Sequence, residues 1–301
     1  MPVSLLIWRL RVGLNNGSKW SFDFSNPSLT LERNAQFSLL YFFLFLLLLC
    51  GDVHPHPGPY NKKNYNFSLC YWNVNSVKAH NFLKLSLLSS YNSIYKYDLI
   101  CLSETFLDSS FPSMDERLSI DNYDLVRADH PNDVKRGGVC VYVKSSLSAR
   151  TCNISRLNEC IVLEVSLDRK KGYIVCLYRS PSQSNDEFDD FLTNFDLTLH
   201  DISSLNPSFV MILGDLNAKS SSWCISDVTT NEGFRIESLT SFYGFSQLIS
   251  NPTHILPNTS SCIDLIFTDQ PNLIMNSGVH SSLHPNCHHQ IVYSKINLKI
   301  E

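Results

Sequence analysis

Eight short apolar runs rich in β-formers follow one another from residue 67 to residue 293, and stretches with helical spacing fall between them. The runs are 67–72, 99–102, 139–143, 161–165, 173–178, 209–213, 263–267 and 291–293. Runs of this length and composition read as buried strands. Helical patterns fit 77–88, 186–199 and 231–242; in the second, Phe188, Phe191, Leu192 and Phe195 share one face. Alternation of this kind leaves one economical solution, a sheet-centred α/β domain spanning 66–301.

Residues 1–65 differ. The stretch 37–50 (FSLLYFFLFLLLLC) is almost wholly apolar and is followed by the turn-rich 51–59 (GDVHPHPGP). A membrane helix needs about twenty apolar residues, so this run is short for one, and it lies too deep for an ordinary signal peptide. A signal anchor, or a stretch that acts during translation or is later removed, both fit. Gly51 to Pro59 resembles the 2A-type ribosome-skipping motif D-[VI]-E-x-N-P-G-P, with His54 and His56 in place of its Glu and Asn. The alternative is a Pro-rich linker after a poorly ordered leader. Net charge is −4, which supplies no global basic field for nucleic acid but says nothing of a local groove. Four of the ten cysteines, Cys70, Cys101, Cys140 and Cys176, fall in or beside expected strands and no C-x-x-C pair occurs. That placement points to reduced core thiols in a nuclear or cytoplasmic setting, not to a zinc site.

The chemistry collects at strand ends. The run 209–213 delivers Gly214-Asp215-Leu216-Asn217, and strand alternation would put Asp215 and Asn217 on one face. Gly214 would let the chain turn or let a ligand come close. A carboxylate can move a proton or bind a metal, and an amide can hold an oxygen. Alone, such a pair is as well read as a turn. Other strands deliver Asn73, Ser103-Glu104-Thr105 and Tyr178-Arg179-Ser180-Pro181; Asp264 sits within a strand and His288-His289 precedes the last one. Each has a bland reading as a helix-start residue, a core aromatic or a surface histidine, but six strands ending in such groups suggest one site.

These residues resemble the endonuclease/exonuclease/phosphatase superfamily, the DNase I-like fold, and within it the apurinic-type endonuclease domain of non-LTR (LINE) retrotransposons. The resemblance runs over 66–300 and rests on Trp72-Asn73-Val74-Asn75-Ser76, Leu102-Ser103-Glu104-Thr105, Arg136-Gly137-Gly138-Val139, Tyr178-Arg179-Ser180-Pro181, Gly214-Asp215-Leu216-Asn217-Ala218, and Asn251-Pro252-Thr253-His254 with Ile263-Asp264-Leu265-Ile266. It implies a four-layer α/β sandwich, two packed mixed β-sheets flanked by helices. It implies a Mg²⁺-dependent phosphodiesterase, with Mn²⁺ as a substitute ion, that nicks DNA as a monomer without an obligate protein partner. Glu104 would hold the metal with help from Asn73, which would also touch phosphate together with Thr253. Asp215 would handle the attacking water, and Asn217 and Tyr178 would contact the phosphate or the leaving oxygen. His289, oriented by Asp264, would stabilise phosphate charge.

Two departures stand out. The family has Ser-Asp-His where this chain has Cys287-His288-His289, so His288 replaces a carboxylate, and His288 and His289 could exchange roles at the substrate. Retrotransposon proteins of this kind also continue into a reverse transcriptase, so the sequence reads as one truncated before that domain. Two further readings compete with DNA nicking: a lipid or inositol-phosphate phosphodiesterase of the same fold, for which 37–50 would be a membrane contact, and a folded but inactive domain.

Overall fold

The computed structural model describes residues 11–15, 19–23, 67–112, 115–132, 136–167 and 170–297. The segments 37–50 and 51–59, on which the leader and linker expectations rest, lie outside the described residues. The chain divides into two compact units, residues 1–60 and 61–301. In the first, β1 (Arg11–Asn15) and β2 (Lys19–Asp23) pair antiparallel.

The second unit is built on two six-stranded sheets. The first runs in the order β15 (Ile274–His280), β16 (Ile291–Ile296), β3 (Phe67–Asn73), β4 (Leu99–Ser103), β6 (Val139–Lys144), β5 (Tyr123–Ala128). The second runs β11 (Ser246–Gln247), β14 (Asp264–Thr268), β10 (Phe209–Asp215), β9 (Lys170–Tyr178), β8 (Cys160–Leu167), β7 (Ala149–Cys152). Both are mixed: β3 is parallel to β4 and β10 is parallel to β9, while the other pairs are antiparallel. A small hairpin, β12 (His254–Leu256) with β13 (Thr259–Ser261), stands apart from the sheets.

Strand periodicity sorts the layers. Along β3, Phe67, Leu69 and Tyr71 face the second sheet, and with Leu99, Cys101, Val139 and Val141 they join the large core. The intervening Cys70 and Trp72, with Ile100, Leu102, Cys140 and Tyr142, form a separate core beneath α1 (Leu83–Tyr95), which contributes Leu85 and Leu88. The far side of the second sheet is covered by α2 (Asn185–Ser204) through Phe188, Phe191, Phe195, Leu199 and Ile202, and by α3 (Asn231–Phe242) through Ile236. Helix, sheet, sheet, helices is the four-layer α/β sandwich that the resemblance implies. Cys70, Cys101, Cys140 and Cys176 are buried free thiols in their strands.

Two local expectations change. A helix over 77–88 does not form: α1 begins at Leu83, because His80, Asn81 and Phe82 all adopt left-handed backbone, which no α-helix accommodates. Gly214 neither turns the chain nor leaves room for a ligand. It lies buried inside β10, where a Cβ would come within 2.3 Å of the Leu177 carbonyl oxygen on the parallel neighbour β9. Gly214→Ala is therefore expected to destabilise the fold by roughly 3 kcal/mol, read as a fall in the chemical-denaturation midpoint; an unchanged midpoint would mean that β9 and β10 can part freely.

Candidate active site

Register places the polar residues. Asp215 ends β10 on the face shared with Leu213, Met211 and Phe209, and the Phe209 ring lies against Phe67 of the opposite sheet, 6.4 Å between centroids. Asp215 is paired directly with Tyr178 on β9 and with Asp264 on β14. Cross-strand partners share a face, so Tyr178, Asp215 and Asp264 form a row along one edge of the second sheet, aimed between the sheets. On the first sheet, Asn73 ends β3 beside Ser103, and Glu104 follows at once. His289 leads into β16 and bridges to His254.

The two rows meet in one hydrogen-bonded network. Asn73 Nδ2 donates to Glu104 Oε1 at 2.8 Å and to Asp215 Oδ2 at 2.9 Å. Tyr178 Oη donates to Glu104 Oε1 at 3.1 Å. His289 Nδ1 faces both oxygens of Asp264, at 3.1 and 3.0 Å, and lies 3.8 Å from Asp215 Oδ2. The backbone N–H of Asn217 donates to Asp215 Oδ1 at 2.9 Å, and Tyr71 Oη accepts from the Asp215 N–H at 2.7 Å. Asn73, Asp215 and Asp264 are buried. Glu104 holds its place in left-handed backbone, φ +49°, a conformation costing a non-glycine residue about 1–3 kcal/mol and common where a site demands it.

Electrostatics divides the acids and bases. Burial, followed by the neighbouring Asp264 charge, pushes the Asp215 carboxyl up to about 7, against the opposing pull of His289. Burial works against an imidazolium at His289, but Asp264, its hydrogen bond and the Asp215 and Glu104 charges outweigh it and push the group up to about 9. Burial and then the Glu104 and Asp215 charges hold the Tyr178 hydroxyl well above its ordinary range, so it stays a donor. At neutral pH the site thus holds a charged imidazole, a protonated phenol and a carboxyl near its midpoint, the combination proton transfer needs.

Several roles implied by the resemblance look different in three dimensions. Asn73 turns Nδ2, not Oδ1, toward the acids, because the Asn75 N–H occupies Oδ1 at 3.1 Å; it bridges Glu104 and Asp215 instead of adding an oxygen for a cation. Alternation stops at Asp215, since Asn217 adopts left-handed backbone with φ +45°, and its Nδ2 donates to the Arg179 carbonyl at 2.8 Å. Thr253 stands behind the site: its Oγ1 accepts from the Ile263 and Asp264 N–H groups at 3.1 and 2.9 Å and so fixes Asp264. His288 is exposed, with its ring edge-on to His254, and the inward position belongs to His289.

Two supports had no role that the sequence assigned: Arg179 stood in a strand-end motif without one, and Lys84 in none. Buried Arg179 donates through Nε and Nη2 to the Leu216 and Asn217 carbonyls at 2.5 and 2.6 Å, clamping the turn that follows Asp215. Buried Lys84 donates to the Val74 and Asn75 carbonyls at 2.6 and 2.5 Å and clamps the turn after Asn73. Glu104, Asp215 and His289 each offer a ligand atom within 4.8 Å of the others. Carboxylate oxygens suit a hard divalent cation, and His289 already has Asp264 as its partner, so the residues fit a divalent cation with the two acids as its ligands.

The sequence profile of a family described as endonuclease/exonuclease/phosphatase matches residues 70–285. No curated protein matches the chain by sequence. Among solved structures, the endonuclease domain of TRAS1, a telomere-specific non-LTR retrotransposon, is similar with a TM-score of 0.61 at 16% identity, over 78% of this chain and 100% of that one. The AP endonuclease LMAP from Leishmania major is similar with a TM-score of 0.66 at 14% identity, over 77% of this chain and 88% of that one. A variant of the 3′ phosphatase NExo from Neisseria, bound to a product DNA hairpin, gives 0.60 at 14% identity, over 77% of this chain and 99% of that one. At these identities the likeness shows a shared DNase I-like fold.

Proposed function

Because the chain belongs to the endonuclease/exonuclease/phosphatase family, we propose that it is a metal-dependent phosphodiesterase that nicks DNA, of the retrotransposon-endonuclease kind. The observation that carries this reading is the network joining Asn73, Glu104, Tyr178 and Asp215 to the His289–Asp264 pair across the two sheets. A bound divalent cation, held by Glu104 and Asp215, would neutralise phosphate charge and favour departure of the leaving oxygen. Asp215 takes a proton from the attacking water, its two oxygens fixed by Asn73 and by the Asn217 N–H. His289 keeps Nδ1 on Asp264 and turns Nε2–H toward the phosphate oxygens, a charged donor where negative charge grows. Tyr178 supplies a neutral donor at the leaving side, and Asn217 holds the phosphate once substrate draws its amide from the Arg179 carbonyl. The same folded network speaks against an inactive domain.

Among the described residues no helix is long and apolar enough to cross a membrane. The similarity to a 3′ phosphatase bound to a product DNA hairpin favours DNA over lipid as substrate. The full chain is expected to convert supercoiled plasmid to open circles with Mg²⁺ or Mn²⁺ and to stop when EDTA is added. A chain inert on plasmid and abasic DNA that cleaves a phosphoinositide or sphingomyelin would reverse the substrate assignment.

A further inference from the structure

Glu159 is a half-buried carboxylate on the second sheet's side of the molecule, outside the network just described. It precedes β8, and its Oε1 accepts from the backbone N–H of Gly138, which precedes β6 of the opposite sheet. Gly137 and Gly138 have φ +61° and +81°. Their carbonyls accept from the N–H groups of Phe106 at 3.0 Å and Thr105 at 3.3 Å, the two residues that follow Glu104. A Cβ on Gly137 would lie 2.1 Å from Glu159 Oε1, and one on Gly138 would lie 2.8 Å from Thr105 Oγ1. The Gly-Gly pair is therefore bare because the Glu159 carboxylate and the Glu104 turn press on it from two sides. The Glu159 carbonyl in turn accepts from the Tyr178 N–H at 3.0 Å, and Tyr178 reaches Glu104 with its hydroxyl.

We propose that Glu159 is the positioning residue for Glu104: by holding Gly138 across the gap between the sheets it fixes the left-handed turn that presents Glu104 beside Asp215. It touches neither substrate nor ion. The inference rests on the metal-dependent reading above and deepens it, since it says what keeps one acid of the cation pair in place. An acceptor oxygen at this reach is what matters, so glutamine should serve and shorter side chains should not. Groups hydrogen-bonded directly to metal ligands change metal affinity by about 10–100-fold, and Glu159 acts one step further out, so the lower end of that range is expected.

The test is direct Mn²⁺ binding to the full chain, followed by electron paramagnetic resonance of the free ion, alongside plasmid nicking across a Mg²⁺ series. Glu159→Ala is expected to weaken Mn²⁺ binding about 10-fold and to raise the Mg²⁺ needed for half-maximal nicking by a similar factor, with the rate at saturating metal largely kept. Glu159→Gln should bind Mn²⁺ as the wild-type chain does. Should the alanine variant not fold, Glu159→Asp, which keeps charge but withdraws the oxygen, is expected to show the same weakening. Unchanged Mn²⁺ binding in the alanine or aspartate variant overturns the proposal. So does a glutamine variant as weak as alanine, which would make charge the agent, and so does a wild-type chain that takes up no Mn²⁺. A wild-type chain that binds Mn²⁺ in this Glu159-dependent way yet cuts no DNA refutes the nuclease reading and leaves the positioning role standing.

Discussion

Asp215→Asn is expected to lower plasmid nicking by about three orders of magnitude while making the protein more stable above neutral pH. The loss follows from chemistry: asparagine cannot accept the water's proton, and one of the two acids that suit a cation is gone. The gain follows from burial. The Asp215 carboxyl is pushed from an ordinary 3.8 up to about 7, so the folded state binds its proton more tightly than the unfolded chain does. The stability this supplies is complete below pH 3.8 and is lost as pH rises through about 7, leaving above it a buried charge that His289 and two hydrogen bonds only partly offset. Asparagine fills the same space without that charge; its single oxygen keeps one of the two donors, Asn73 Nδ2 or the Asn217 N–H, so the gain is the relief of the charge less one hydrogen bond. Thermal melts in EDTA should therefore show the variant's advantage growing from pH 4 to pH 8. An inactive variant that melts lower than wild type at pH 8 would point to a damaged fold and remove the argument.

The second large effect belongs to Asp264→Asn, expected to reduce nicking by two to four orders of magnitude. His289 lies between this partner and Asp215, and Asp264 supplies both the charge and the hydrogen bond that hold its Nδ1. Without Asp264 the imidazole should titrate well below about 9, neutral over much of the range where wild type carries a cation. The stabilisation of the pair is fully present below pH 6.5 and is lost as pH rises through about 9. The difference in melting temperature between wild type and variant in EDTA should accordingly shrink at high pH. The His289 ring resonance should titrate near 9 in wild type and lower in the variant; identical titrations would show that Asp264 does not set the charge of His289.

The strands that carry site residues were legible because they are interior: β3, β4, β9, β10 and β14 are mostly apolar on both faces, so composition marks them and the polar residue that ends the run, or in β14 begins it, stands out. Edge strands were not. In β5 (YDLVRA), β7 (ARTC) and β15 (IMNSGVH) exposed or half-exposed residues break the apolar run, and their place is set by pairing alone. The start of α1 was hidden because left-handed backbone at His80, Asn81 and Phe82 is imposed by the surrounding turn, for which Lys84 anchors the preceding residues. Side-chain type showed that Asp215 and His289 could be chemical, whereas which histidine faced inward depended on the turn at Cys287, whose thiol donates to the Asn73 carbonyl at 3.3 Å. Arg179 and Glu159 act on backbone groups far away in sequence, and no spacing encodes that.

Phe67 and Phe209 touch at the opposite end of β3 and β10 from Asn73 and Asp215. Each strand is then a rigid arm with an aromatic hinge at one end and a reacting group at the other. The two sheets work as the jaws of a caliper, and the Asn73–Asp215 hydrogen bond reads their gap. A small change at the hinge, such as Phe209→Leu, would be carried along the arms and delivered at the jaws, where a misfit of about 1 Å can cost about 100-fold in rate. Catalysis in this chain should fail well before folding does, which makes its activity a gauge of how the sheets are seated.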